Sequence, residues 1–409
     1  MTANVAHIAQ PQAETTADQL IERIEAALPE LQALSLGEEQ AGRLSERTIA
    51  CLAEIGVFDM AIPPEYGGTA MSALDQFRVY TAVGKIAGST GWVSWVTTTH
   101  VRWIAMFSEQ AREEVWGIDW PAPRVSGVIT ATGPGKARPV DGGYMLQGTW
   151  PFCSGCPHTA WSILGAVSVG PDGAVQPILA LVPAADLTIA NDWAVSGMKA
   201  TGSNSVKLPE EVFVPRHRTI GLMDAILGNW ANPPLEQPLY KNNFALYTTA
   251  LSGATPLGMA KGALDYYMAR LETRGITATD YKVQADAAIT HLQLAEAVSR
   301  IDASEARLSA NAAELDRRAV AGEACDDLFR AKVRFDVALS VRECAEAIEI
   351  LHRGSGAATI HEKNPMQRYA RDVRVATVHA QFNFETCAED YGRALCGKPL
   401  FGNFLPPVK

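Results

Sequence analysis

Apolar positions divide the chain into three textures. Over residues 17 to about 120 they recur at helical spacing: Leu20, Ile21, Ile24, Ala27 and Leu28 fall on one stripe, and residues 48–58 repeat the period. The run Pro63-Pro64-Glu65-Tyr66-Gly67-Gly68 interrupts it. From 124 to about 220 the pattern changes to short β-branched and aromatic runs bounded by Gly, Pro and Asp. Examples are 144–147, after Asp141-Gly142-Gly143, and 178–182. Residues 221–239, with Asn232-Pro233-Pro234 and Pro238, predict a linker or lid. From about 240 to 395 helical spacing returns and predicts several long helices. The expected organisation is a multidomain α+β protein: an N-terminal α-helical domain over 1–120, a central β domain over 121–225 and a C-terminal helical bundle domain over 226–409.

Composition narrows the function classes. The chain has 409 residues, 47% hydrophobic and 20% charged, which is enough for a large core. A net charge of -10 without a Lys/Arg cluster argues against nucleic acid as a partner. No apolar run is long enough to span a bilayer, and the first residues lack a basic-then-apolar leader pattern, so a cytoplasmic location is expected. Seven cysteines at uneven spacing fit reduced thiols. Cys153-Ser154-Gly155-Cys156 forms an isolated CxxC, expected as a buried pair on a strand or turn, and no metal site is predicted.

Three separated motifs carry more information. Ile55-Gly56-Val57-Phe58-Asp59-Met60-Ala61-Ile62-Pro63-Pro64-Glu65-Tyr66-Gly67-Gly68 lies in the first helical region. Gly197-Met198-Lys199-Ala200-Thr201-Gly202-Ser203-Asn204, followed by Val212-Phe213-Val214-Pro215, lies in the β region. Gly354-Ser355-Gly356, Pro365, Arg371-Asp372 and His379-Ala380 close the series. In this order they resemble the signatures of the acyl-CoA dehydrogenase superfamily. That resemblance implies an acyl-CoA dehydrogenase fold: an N-terminal helical domain, a central β-barrel-like domain and a C-terminal four-helix bundle. It also implies a catalytic Glu where this chain has Ala380, and alanine cannot remove a proton. A second position used for the base in some members falls near 246–256, and no Asp or Glu occurs between Leu239 and Leu264.

Within the superfamily, His100, Ser126, Trp150-Pro151-Phe152-Cys153-Ser154-Gly155-Cys156 and His379 resemble the oxygenase components of two-component flavin-dependent monooxygenases of the aromatic hydroxylase type. The resemblance implies reduced FAD or FMN as cofactor, delivered by a separate NAD(P)H-dependent flavin reductase, with O2 as co-substrate. It also implies a C4a-hydroperoxide that hydroxylates a small aromatic substrate, indole-like or phenolic, and a homotetramer. N- or S-oxygenation on the same scaffold is the alternative, followed by a dehydrogenase-like enzyme or a non-catalytic flavin-binding protein. No third glycine follows Gly133-Pro134-Gly135 or Gly354-Ser355-Gly356, so no nicotinamide site is expected on this chain.

The site expectations follow. Ser154, beside Phe152 and Gly155, offers a hydroxyl near the flavin ring; the alternative is a serine satisfying a strand-end backbone group. His100 sits at the edge of a face carrying Trp92 and Trp103 on a helix expected over 92–109. It is a candidate acid/base beside an aromatic slot, or a core histidine among tryptophans. His379 precedes the lost carboxylate and either hydrogen-bonds the reacting groups or caps a helix. Ser126 is a candidate substrate contact by family position. Arg270, Arg274, Gly354 and Gly356 are candidates for flavin phosphate contacts, the arginines near the start of the second bundle helix.

Overall fold

The computed structural model describes residues 15–117, 124–129, 135–170, 173–227 and 235–401. Five helices come first: α1 (Ala17–Ala41), α2 (Glu46–Ile55), α3 (Ala73–Gly84), α4 (Gly88–Trp103) and α5 (Glu109–Trp116). Thr16 and Gln19 form a capping box at the start of α1, and Gly42, with φ 66°, closes it in the left-handed conformation. The helix expected over 92–109 is two helices. After Trp103 the chain tightens into a 3₁₀ turn over Ile104–Met106 and extends at Phe107. The Ser108 side chain then accepts from the Ala111 N–H and starts α5.

The strands follow: β1 (Val125–Val128), β2 (Lys136–Val140), β3 (Gly143–Trp150), β4 (Trp161–Val169), β5 (Val175–Pro183), β6 (Thr188–Ile189), β7 (Val206–Pro215) and β8 (Thr219–Gly221). Their order is β6-β7-β3-β2-β4-β5-β8. The strand β1 lies parallel to the first half of β4, and β2 lies parallel to its second half. Among the described residues this path ends at β6 and β8, so the hydrogen bonding forms an open sheet rather than a closed barrel.

The remaining helices are α6 (Leu222–Leu227), α7 (Pro238–Lys241), α8 (Phe244–Ser252), α9 (Ala254–Met268), α10 (Ala288–Ala321), α11 (Asp327–Gly354), α12 (Pro365–Thr377) and α13 (Phe384–Leu395). Two short helices therefore occupy part of the expected linker over 221–239; Asn232-Pro233-Pro234 lies outside the described residues. The long helix α11 packs against α8, α9, α10, α12 and α13. Where α3 meets α9, a Cβ on Gly258 would stand 2.3 Å from the Thr81 carbonyl oxygen, so only glycine permits that crossing. No helix among the described residues is long and apolar enough to cross a membrane.

Helix α4 joins two cores. Trp92 and Trp95 belong to the helical core, whereas Trp103 belongs to a second core with Phe107, Trp116, Val125 and Trp161, between the helices and the sheet. That position brings one helix against the sheet, the loop after β3 and the segment after α12.

Candidate active site

Three stretches meet at Trp92 of α4. Its indole Nε1–H donates to Ser154 Oγ at 3.3 Å, in the loop after β3. Its ring meets His379 and Phe382, just beyond α12, with centroids 5.4 and 6.1 Å away, and Trp95 edge-on at 4.9 Å. Ser154 Oγ lies 2.7 Å from Ser203 Oγ, which lies 2.6 Å from Thr201 Oγ1, and Thr201 donates to the Met198 carbonyl at 2.8 Å.

The direction of this chain can be deduced. Each hydroxyl has one proton. Thr201 gives its proton to Met198, so Ser203 donates to Thr201 and Ser154 donates to Ser203. Trp92 then occupies one lone pair of Ser154, and a single acceptor position remains on that oxygen.

The motif around Arg371-Asp372 holds this arrangement in place. Buried Asp372 accepts from the Met198 N–H at 2.6 Å, and Arg371 Nη1 donates to the Ser196 carbonyl at 2.7 Å. Burial pushes the Asp372 carboxyl up to about 6, opposed by its bond from Met198. The last two sequence motifs thus clamp one another, with Asp372 fixing the backbone that orders Thr201 and Ser203.

Phe152 has φ 63°, an uncommon left-handed conformation for a residue with a side chain, and is 70% exposed. Its ring meets Trp193 edge-on with centroids 5.9 Å apart. A strained backbone that presents an aromatic ring to solvent is the arrangement expected of a platform for a flat ligand. Cys153 and Cys156, on either side of Ser154 and Gly155, are buried free thiols.

His379 Nδ1 accepts from the Gln381 N–H at 3.2 Å, so the ring caps the 3₁₀ turn over Ala380–Phe382 and the neutral form carries its proton on Nε2. Solvent reaches one side of the ring while Trp92 and Phe382 cover the rest, and burial holds its pKa below 6.5. Of the two roles weighed from the sequence, capping is filled by Nδ1, and Nε2–H is the ring's other polar atom.

His100 lies further along α4, its ring centroid 5.9 Å from that of Trp103. Burial pushes its pKa down to about 4, against a smaller opposing pull from the Val96 carbonyl, so it is neutral at ordinary pH. Its ring lies flush on β1: a Cβ on Gly127 would stand 2.8 Å from both Cδ2 and Nε2. Ser126 is 0% exposed. Its hydroxyl is paired with Ser162 at 2.7 Å and accepts from Thr159 at 3.0 Å, beneath the sheet surface. Trp103 is 1% exposed and packs edge-on against Phe244 of α8, with centroids 3.8 Å apart.

Arg270, Arg274, Gly354 and Gly356 form a separate set. Arg270 and Arg274 follow the end of α9 rather than starting a helix; Arg270 lies 4.9 Å over the Tyr266 ring and Arg274 is exposed. Gln284, which the sequence did not single out, ties this end together, donating to the Gly354 carbonyl at 2.8 Å and to Tyr267 Oη at 2.9 Å. Gly356 is exposed with φ 73°. Gly354 and Gly356 precede α12 and His379 follows it; its 13 residues separate the two ends by about 20 Å. Within one chain, Trp92, Phe152, Ser154 and His379 come together, and the arginine–glycine set does not join them. Trp95, which the sequence reading counts with Trp92 and Trp103 as suiting a flat substrate, joins the first group, and Phe382, Thr201 and Ser203 complete it without having been anticipated as site residues.

Comparison with known proteins supplies the chemical context. The family model described as Acyl-CoA dehydrogenase, N-terminal domain, matches residues 16–117, and Acyl-CoA dehydrogenase, C-terminal domain, matches 250–384. The flavin-dependent monooxygenase, oxygenase subunit HsaA, of Rhodococcus jostii (strain RHA1) is 34% identical over 386 residues, 93% of this chain and 99% of that protein. The FADH(2)-dependent resorcinol hydroxylase, oxygenase component, of Rhizobium sp. (strain MTP-10005) is 30% identical over 98% of this chain and 100% of its own length. The solved structure of XiaF from Streptomyces sp. in complex with FADH2 and glycerol superposes with a TM-score of 0.87 at 30% identity, covering 96% of this chain and 98% of that one. With a hydroxyl relay, an imidazole beside the alanine that stands where a dehydrogenase places its carboxylate, and whole-length relatives of one kind, this chain belongs to the oxygenase components of the flavin-dependent monooxygenases, within the acyl-CoA dehydrogenase superfamily.

Proposed function

We propose that this protein hydroxylates a small aromatic substrate, using reduced FAD or FMN delivered by a separate NAD(P)H-dependent reductase. The observation that carries the reading is the corner formed by Trp92, Ser154, His379 and Phe382: an aromatic wall, one hydroxyl acceptor and one imidazole donor, with no carboxylate among them.

The residues present fit a reduced flavin. Reduced flavin, when bound, activates O2 and supplies the oxygen atom that enters the substrate. Ser154 retains one acceptor position, which suits the ring N–H of a reduced flavin, and the relay through Ser203 and Thr201 keeps that oxygen from turning away. Phe152 offers a flat apolar surface beside it. His379 presents Nε2–H to the reacting groups as a hydrogen-bond donor, because Nδ1 is held by Gln381. Trp92, Trp95 and Phe382 form the dry side of that corner, which is open to solvent at His379. His100, neutral and fixed between Trp103 and Gly127, is assigned to the substrate's ring oxygen or nitrogen. Ser126 is assigned to positioning the sheet beneath His100, since it has no accessible surface.

Arg270, Arg274, Gly354 and Gly356 are assigned to the flavin phosphates. Self-association reconciles their distance from Ser154: in a homotetramer the phosphate set of one copy serves the ring site of another. Exposed apolar side chains support an assembly, including Leu292 at 72% and Val378 at 80%. A cytoplasmic location accords with the dependence on a diffusible reduced cofactor. The test mixes the protein with chemically reduced FMN or FAD, adds oxygen, and screens indole and simple phenols. Hydroxylated product supports the reading; flavin reoxidation that yields only hydrogen peroxide with every substrate rejects it.

A further inference from the structure

Helix α4 is rich in hydroxyls and indoles, and it satisfies them unevenly. Ser94, Thr97 and Thr98 donate back to the carbonyls of Thr90, Val93 and Ser94, at 2.9, 2.7 and 2.8 Å, as hydroxyls inside a helix commonly do. Thr99 does not, although it is 2% exposed: among the described residues its Oγ1 has no partner. The indoles show the same contrast. Trp92 Nε1–H finds Ser154, whereas Trp95 Nε1–H, on a side chain 4% exposed, finds no acceptor. Thr90 Oγ1, His100 Nδ1 and Trp103 Nε1 on the same helix also lack partners among the described residues. A buried donor without an acceptor costs about 1–3 kcal/mol, so five such groups on one helix, three of them (Trp95, Thr99 and Trp103) at successive turns, call for a physical reason.

Their placement supplies one. At 100° per residue, Trp95, Thr99, Trp92 and Trp103 fall within an arc of about 80° on α4. One end of that stripe touches His379 through Trp92, and the other touches Phe244 of α8 through Trp103. Gln381, beside His379, reaches Ser252 of α8 at 3.3 Å and joins the two ends. Trp95 and Thr99 stand one helical turn apart between these walls, where Cβ atoms are about 5–6 Å from each other.

We infer that Trp95 Nε1 and Thr99 Oγ1 are specificity-determining donors that recognise oxygen acceptors on the substrate. Trp95 Nε1–H can only donate, so it favours an aromatic ring bearing hydroxyl or carbonyl oxygens over indole, whose single polar group is itself a donor, and the Thr99 hydroxyl adds a second contact to such an oxygen. This rests on the aromatic hydroxylase reading above and deepens it.

The test uses the full-length protein loaded with reduced FAD or FMN under anaerobic conditions, and compares resorcinol with indole by calorimetric titration. Wild type should bind resorcinol more tightly than indole. Trp95→Phe, which keeps an aromatic ring and loses the N–H, should weaken resorcinol about five- to tenfold and leave indole within twofold. Thr99→Val should weaken resorcinol similarly, and Thr99→Ser should restore it. Melting temperature without ligand separates recognition from structure in Thr99→Val, which keeps the side chain's shape: removing a hydroxyl that has no partner should leave Tm unchanged or raised, whereas Trp95→Phe also loses core volume and is read by binding alone.

Equal losses for both probes, no loss for either, a lowered ligand-free Tm in Thr99→Val, or wild-type binding of resorcinol no tighter than indole would each overturn the inference. Those results leave the oxygenase reading intact wherever wild type still hydroxylates an aromatic. Failure of wild type to oxygenate any aromatic rejects the parent reading instead.

Discussion

The indole N–H of Trp92 and the hydroxyl of Ser154, 62 residues apart in the chain, meet at 3.3 Å and orient a relay that ends at the Met198 carbonyl. Ser154→Ala removes the acceptor of Trp92 and the donor to Ser203 together. The variant should lose about 1–3 kcal/mol of stability from the stranded indole N–H. Bound reduced flavin should reoxidise faster in it, with more hydrogen peroxide per product; stopped-flow absorbance of flavin reoxidation measures this. A wild-type reoxidation rate would rule out the Ser154 contact.

His379→Ala should leave reduced-flavin affinity within about twofold, because its Nε2–H is assigned to the reacting groups and not to the flavin ring, while lowering the ratio of product to peroxide. The pH dependence has a definite sign. Burial depresses the His379 pKa below 6.5, so the neutral ring persists above that pH and coupling should be level there. As pH falls through the depressed pKa, Nδ1 gains a proton and can no longer accept from Gln381 N–H, and coupling should fall. An acid limb of the product-to-peroxide ratio that survives in His379→Ala belongs to another group.

Gly127→Ala tests how β1 positions His100. The added Cβ would stand 2.8 Å from the His100 ring and 2.9 Å from the Ile163 carbonyl oxygen. A cost of about 1–3 kcal/mol is expected from overpacking. Hydroxylation should drop more than flavin binding, since Ser154 and Phe152 lie on a different loop. Equal losses of the two would mean that the sheet as a whole has shifted.

Much of this was legible in the sequence, and the gaps have physical causes. Helical periodicity and the β-branched runs located the elements, and the motif around Arg371, Asp372 and His379 located the segment that meets Trp92 and Met198. Helix α4 was drawn too long because nothing in apolar spacing reveals that Phe107 extends and Ser108 caps anew. Ser126 and Ser154 look alike as serines beside glycines, yet Ser126 is sealed beneath Ser162 and Thr159 while Ser154 is half-buried and bonded to Trp92 and Ser203. The role of Asp372 was hidden because its partner, the Met198 backbone, lies 174 residues away. The 20 Å between Gly354 and His379 could have been read from the helical spacing of the residues between them, about 1.5 Å each.

His158 gives a stability prediction. Burial pushes its pKa down to about 4, so the folded state holds it neutral. Between pH 6.5 and 4 the unfolded chain takes up a proton that the folded chain refuses, and this residue's contribution is lost as pH falls. His158→Gln should flatten the acid slope of unfolding free energy by up to about 1.4 kcal/mol per pH unit in that window. Denaturant titrations at pH 6.5, 5.5 and 4.5 measure the slope.

Isotope incorporation tests the central claim most directly: reduced flavin and a phenolic substrate are mixed with the protein under ¹⁸O2, and the product is weighed by mass spectrometry. The account predicts one ¹⁸O atom in each hydroxylated product, with the yield reduced in His379→Ala. Product oxygen drawn from water, or ¹⁸O recovered only as hydrogen peroxide with every aromatic offered, would contradict it.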